Sequence, residues 1–304
     1  MWNPGISLRL WLPLGLALLL LWGCGAHRDP YGQQIKRVEG LSQQGENWFS
    51  QGNYPRAHRD FARALELSRA IDYPTGVAQQ LNNLAAVALE KGELEEARKL
   101  FTQAWEINVS QRHWREASTN QANLATVAQK AGETGLAEEH LRAAEEAARR
   151  SESRPALGRV YIRWAGFSLD QQRLPQARRY LEEARSLART PDLKGALEHQ
   201  WGRLSLAQGD TGTAVKHFTQ ALKFDRDVLD RAAMAADLFY LGETYRLRSD
   251  WSQAFSYFER AFDVYAALGR KPPLADCRKR LEEANTQGRL GHSLKRFEGG
   301  AGEK

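Results

Sequence analysis

Apolar residues recur along this chain at helical spacing, and an unusual share of them are alanine. In Leu81–Trp105, LNNLAAVALEKGELEEARKLFTQAW, the apolar positions return every three or four residues on both sides of Gly92. That pattern predicts two amphipathic helices joined by a tight turn. A helix packing alone on a core would gain more by burying leucine at these positions. The explanation is a period: Ala57, Ala97, Ala137, Ala177, Ala214 and Ala254 fall on one register, spaced by 40 residues except for a single step of 37. Four residues on stand Phe61, Phe101, Leu141, Leu181, Phe218 and Phe258, and three further on Ala64, Ala104, Ala144, Ala184, Ala221 and Ala261.

The helix before each of these keeps a looser register. Its small position holds Gly45, Ala85, Ala125, Ala165, Gly202 and Gly242, preceded in all units but the first by Leu84, Leu124, Trp164, Trp201 and Leu241. Small residues let two antiparallel helices cross closely, where a leucine would overpack at a cost of about 1–3 kcal/mol. Gly52, Gly92, Gly132 and Gly209 suit a left-handed residue at the turn inside each hairpin, and Gln172 and Ser249 replace glycine in the fourth and sixth units. Pro74, Pro155 and Pro191 stand just ahead of first helices, where a missing amide is harmless.

The small–aromatic–small second helices resemble the tetratricopeptide repeat, in its longer-period branch. The resemblance implies an all-α fold, a right-handed α-solenoid of six helical hairpins over residues 35–271, with a capping helix over 272–287 opened by Pro272 and Pro273. No hairpin buries its own face, so stability comes from stacking neighbours. Residues 288–304 are glycine-rich and polar and read as a disordered tail.

The N-terminus is a separate object. Leu8–Trp22 is an apolar run of signal-peptide length, shorter than the roughly 20 residues that span a bilayer. Leu21, Gly23 and Cys24 resemble the lipobox of bacterial lipoproteins, although Trp22 stands where a small residue is usual. That resemblance implies a signal peptide over 1–23, lipid attachment at Cys24 and a tether over 24–34. Gly25 is not the aspartate of inner-membrane retention in enteric bacteria, so the expected address is the outer membrane, periplasmic side. A soluble secreted or periplasmic form is the alternative.

Composition narrows the chemistry. A formal charge of +6 from 43 basic and 37 acidic residues is too dispersed to indicate nucleic acid. Two cysteines, Cys24 and Cys277, give neither a disulfide framework nor a metal cluster. No metalloprotease, serine-hydrolase or phosphate-loop motif occurs, so neither enzymatic activity nor a cofactor is expected. Asn108 begins a glycosylation-type triplet of no expected use, and Cys277 reads as a half-buried residue of the cap.

In a stack of this kind the first helices line the concave surface. The position two residues before the small one holds Gln43, Asn83, Asn123, Arg163, Gln200 and Tyr240. In the longer-repeat branch an asparagine there often holds the backbone of an extended peptide, since an amide both donates and accepts. Asn83, Asn123, Arg159, Arg163, His199, Arg203 and Tyr240 are therefore the expected partner-binding residues, for an extended, partly acidic protein segment. The reading is a lipid-anchored scaffold for other envelope proteins. The alternative is an exopolysaccharide handler using Phe49, Phe239 and Tyr240 as stacking platforms.

Overall fold

The computed structural model describes residues 29–298, which are all-helical. The expected signal peptide and Cys24 lie outside the described residues. Unit 1 pairs α1 (Pro30–Ser50) with α2 (Tyr54–Ala70), unit 2 pairs α3 (Pro74–Lys91) with α4 (Leu94–Ser110), and unit 3 pairs α5 (Trp114–Lys130) with α6 (Thr134–Arg150). Unit 4 is α7 (Arg154–Asp170) and α8 (Leu174–Arg185), unit 5 is α9 (Pro191–Ala207) and α10 (Thr211–Asp227), and unit 6 is α11 (Arg231–Leu247) and α12 (Trp251–Ala267). The capping helix is α13 (Lys271–Gln287), followed by one turn, α14 (Lys295–Glu298). No helix of the described residues is long and apolar enough to cross a membrane.

Five of the six crossings are matched in size, while unit 2 buries Ala85 with Phe101. A Cβ added to Gly45, Gly202 or Gly242 would stand 2.4, 2.6 and 2.6 Å from the rings of Phe61, Phe218 and Phe258. Where the knob is leucine, at Leu141 and Leu181, the facing positions Ala125 and Ala165 carry that carbon. All of these side chains are buried.

Gln172 (φ 56°) and Ser249 (φ 58°) take the left-handed conformation that glycine takes in the other hairpin turns. Hydrogen bonds from the next residue back to the helix hold them there: Arg173 N to Ser168 O at 2.8 Å and Asp250 N to Tyr245 O at 3.0 Å. The 37-residue step shortens α8, which ends at Arg185, and Ser186–Thr190 bring α9 directly against α7. Gly158 allows it, since its missing Cβ would lie 2.9 Å from Leu187 Cβ.

Two boundaries differ from the sequence reading. Residues 30–34, read as tether, are the first turn of α1, because Asp29 accepts a hydrogen bond from Gly32 N at 2.9 Å and Pro30 fits the first turn. Residues 288–298, read as disordered, fold back on unit 6. Phe297 is 2% exposed against Phe255 and Phe262, and His292 stacks on Phe255 at 4.5 Å. One large aromatic outweighs the polar composition around it, contributing about 1.5–3 kcal/mol.

The stack also meets itself. A Cβ on Gly52, in the turn of unit 1, would stand 2.3 Å from the carbonyl oxygen of Leu268, beyond the end of α12. Arg270 pairs with Glu90 at 2.7 Å, with the Tyr54 hydroxyl alongside. Six units thus bring the two ends of the superhelix into contact.

Candidate functional site

Each first helix offers one stripe to the groove, and the expected binding residues are largely engaged by neighbouring side chains. Asn83 donates to Ser42 Oγ at 3.4 Å and to Gln80 Oε1 at 3.5 Å; Asn123 donates to Asn82 Oδ1 at 3.2 Å. Arg159 pairs with Asp192 at 3.2 Å and Arg203 with Asp170 at 2.5 Å. Tyr240 stacks on Phe218 with ring centres 5.3 Å apart, the edge of His199 5.1 Å away and the Arg203 guanidinium 5.6 Å above. Phe49 packs edge-on against Tyr54 and Phe239 against Phe258, so the aromatic faces that a sugar would need are committed internally.

Arg163 differs. Its guanidinium donates only to Thr126 Oγ1, at 3.2 Å, and among the described residues it has no carboxylate partner. It is solvent-accessible but set in the groove, where desolvation and then the neighbouring Arg159 hold its pKa below the ordinary value. Arg159 and Arg163 separate two cavities. One, of about 380 Å³, is lined by His199, Gln200, Arg203, Asp225 and Asp230; the other, of about 720 Å³, by Asn82, Asn108, Asn120 and Asn123.

A recurrent polar triad joins neighbouring units, and the sequence reading missed it. Four residues beyond the last small position of a second helix stand Ser68, Asn108, Ala148, Ala188, Asp225 and Tyr265. Facing them in the next unit, five residues before its small position, are Gln80, Asn120, Val160, Leu197 and Asp237, with Cys277 in the cap. All twelve are buried. A third member comes from the first helix of the preceding unit, three residues before its small position. In units 2 and 3 it is Asn82: Asn108 donates to Asn120 Oδ1 at 2.8 Å, and Asn120 donates to Asn82 Oδ1 at 3.0 Å. Gln80 donates to Ser42 Oγ at 3.2 Å in the corresponding place.

In units 5 and 6 the same three positions are Asp225, Asp237 and His199, with His199 Nδ1 2.7 Å from Asp237 Oδ1. Burial, then Asp237, pushes Asp225 up to about 8; burial likewise pushes Asp237 up to about 8. Burial, then Arg203, pushes His199 down to about 3. Each group is driven toward its neutral form. The constant interval of 12 residues between the first two members, reduced to 9 at the short step, was the signal available in the sequence.

Other candidates are structural. Cys277 is fully buried rather than half-buried, and burial pushes its thiol up to about 12, so the thiolate needed for reactivity is scarce. Asn108 is buried in its triad, away from any glycosylating enzyme. No group of acidic, cysteine and histidine side chains suited to a metal ion occurs among the described residues.

Residues 38–201 match the family model of the soluble NSF attachment protein, SNAP, and residues 193–267 match a tetratricopeptide-repeat model. The first match spans more than half of the chain. The chain belongs to the tetratricopeptide-type helical-repeat proteins, and over that span to their soluble NSF attachment protein family. Solved structures share the fold at low identity. The apo form of RapI is 15% identical with a TM-score of 0.61, the match covering 84% of this chain and 89% of that one. A Rap protein complexed with competence and sporulation factor is 16% identical with a TM-score of 0.56, covering 83% and 76%. BtubC from P. vanneervenii is 18% identical with a TM-score of 0.52, covering 71% and 92%. No curated protein matches the chain in sequence. The fold is a protein-interaction scaffold, of a kind that is typically non-catalytic.

Proposed function

We propose that this chain is a lipid-anchored, periplasm-facing scaffold that captures extended segments of partner proteins in its concave groove and aids assembly of an envelope complex. Candidate complexes are a secretion or pilus pore, the insertion of outer-membrane proteins, or the regulation of peptidoglycan hydrolases. The observation that carries the binding reading is Arg163, an arginine on the groove cavities with no carboxylate of its own among the described residues. A partner's acidic side chain supplies that carboxylate, and the amides of Asn82 and Asn123 flank the path of its backbone. A Rap protein solved in complex with competence and sporulation factor shares the fold, which supports a binding role for it.

A photo-crosslinker placed at Asn123, followed by mass spectrometry, identifies the partner. Arg163→Glu should abolish capture without disturbing any internal ion pair, whereas Arg203→Glu also breaks the pair with Asp170. Equal capture by wild type and Arg163→Glu would refute the site. The anchor rests on Leu21, Gly23 and Cys24. Cys24→Ser should remove labelled fatty-acid incorporation and release the protein from the membrane fraction; an unchanged distribution rejects the anchor.

A further inference from the structure

The 380 Å³ cavity beside Arg163 is lined by charges of both signs, Asp170, Asp192 and Arg203 among them. Arg159 and Arg163 come from α7, while Asp225 and Asp230 come from the end of α10 and the cap of α11. Asp225 is only 4% exposed, yet it lines this cavity. Gly195 makes room for it, since a Cβ there would lie 2.1 Å from Asp225 Oδ1. Among the described residues no cation pairs with the Asp225 carboxyl, whose hydrogen bond is shared with Asp237, because Arg159 and Arg203 are engaged by Asp192 and Asp170. Behind it, Asp237 is fully buried, with one oxygen 2.7 Å from His199 Nδ1 and a hydrogen bond shared with Asp225.

Folding does not require acids at these positions. The equivalent pairs between other units are Ser68 with Gln80, Asn108 with Asn120, Ala148 with Val160 and Ala188 with Leu197, all uncharged and all buried. A buried acidic pair bonds to itself only by holding a proton, a constraint that an amide pair avoids. The one acidic copy stands on the wall of the cavity that also holds the groove's unpaired arginine.

Resting on the groove reading above, we propose that this cavity takes a basic side chain of the partner segment: a lysine or arginine donates to Asp225 while an acidic group of the same segment lies on Arg163. The recognised segment therefore carries a basic residue close to an acidic one. With both carboxyls pushed up to about 8 by burial, the pair holds a proton at neutral pH. An incoming cation favours the ionised form, and that proton passes to the buffer.

The test is selection of random decapeptides displayed on phage, against the full chain and two variants. Asp225→Asn/Asp237→Asn installs the amide pair already present at Asn108 and Asn120, so it retains the packing. Wild type should enrich peptides bearing both an acidic and a basic residue; the double variant should keep only the acidic preference, and Arg163→Gln only the basic one. For a selected peptide, replacing its lysine by norleucine should weaken wild-type binding about tenfold or more and binding to the double variant less than about twofold. Calorimetry in buffers of different ionisation enthalpy should show proton release with wild type that is absent from the double variant. Enrichment of acidic residues alone, or of basic residues equally by the double variant, overturns this proposal and leaves the groove reading standing. Selection of no peptide overturns both.

Discussion

At Gly242 an added methyl carbon would stand 2.6 Å from the ring of Phe258, and in the two central units, where leucine replaces phenylalanine, alanine replaces glycine. Unit 2 packs Ala85 with Phe101, so the constraint belongs to the individual crossing, and at Gly242 it predicts compensation. Gly242→Ala should lower stability by about 1–3 kcal/mol through overpacking. Gly242→Ala/Phe258→Leu should recover most of that loss by rebuilding the Ala125–Leu141 arrangement, as read by urea unfolding. The acid triad gives a second prediction. Asp225 and Asp237 have folded pKa values raised to about 8, above the unfolded value of about 3.9. The folded state therefore holds more protons, and their contribution to stability is lost as pH rises through about 8. His199, depressed to about 3, acts oppositely, but only below its unfolded value of about 6.5. Stability should thus fall between pH 6.5 and 8, and Asp225→Asn/Asp237→Asn should flatten that fall. Denaturant titrations across this range check it; equal slopes in both proteins would reject it.

The hairpins are individually marginal, so their turns matter. Ser249 and Gln172 occupy left-handed backbone that costs a residue with a Cβ about 1–2 kcal/mol. Glycine relieves that strain and loses part of the gain to unfolded-state entropy. Ser249→Gly should therefore raise stability by about 0.5–1 kcal/mol in thermal unfolding, and Ser249→Val should lower it. The short α8 acts at the same scale. By ending at Arg185 it sets α9 against α7, and so places His199 and Arg203 on the cavity that Arg159 and Arg163 also line.

Across the whole molecule, the contact of Leu268–Arg270 with Gly52, Tyr54 and Glu90 brings the two ends of the superhelix together. Arg270→Glu sets two carboxylates against each other at that seam. Small-angle X-ray scattering should then show a larger radius of gyration, and Glu90→Arg/Arg270→Glu should restore the compact value. An unchanged radius in the single variant would mean that backbone packing at Gly52 holds the ends together without the ion pair.

The periodic positions Ala57 to Ala261 sufficed to place six hairpins and a cap, because small side chains at a helix crossing leave few alternatives. The same register proposed groove residues, of which Asn123, Arg159, Arg163, His199 and Arg203 line the two cavities. It could not tell that Asn83 and Asn123 are bonded to neighbouring polar side chains, or that Arg163 alone of the groove arginines lacks a carboxylate among the described residues. Pairing depends on how one hairpin rotates against the next, which no single repeat encodes. The triads were visible only as scattered polar residues until stacking brought together groups from three helices. The seam at Gly52 was least legible of all: it sums five small rotations between units, one of them altered by three missing residues, and only the assembled superhelix performs that sum.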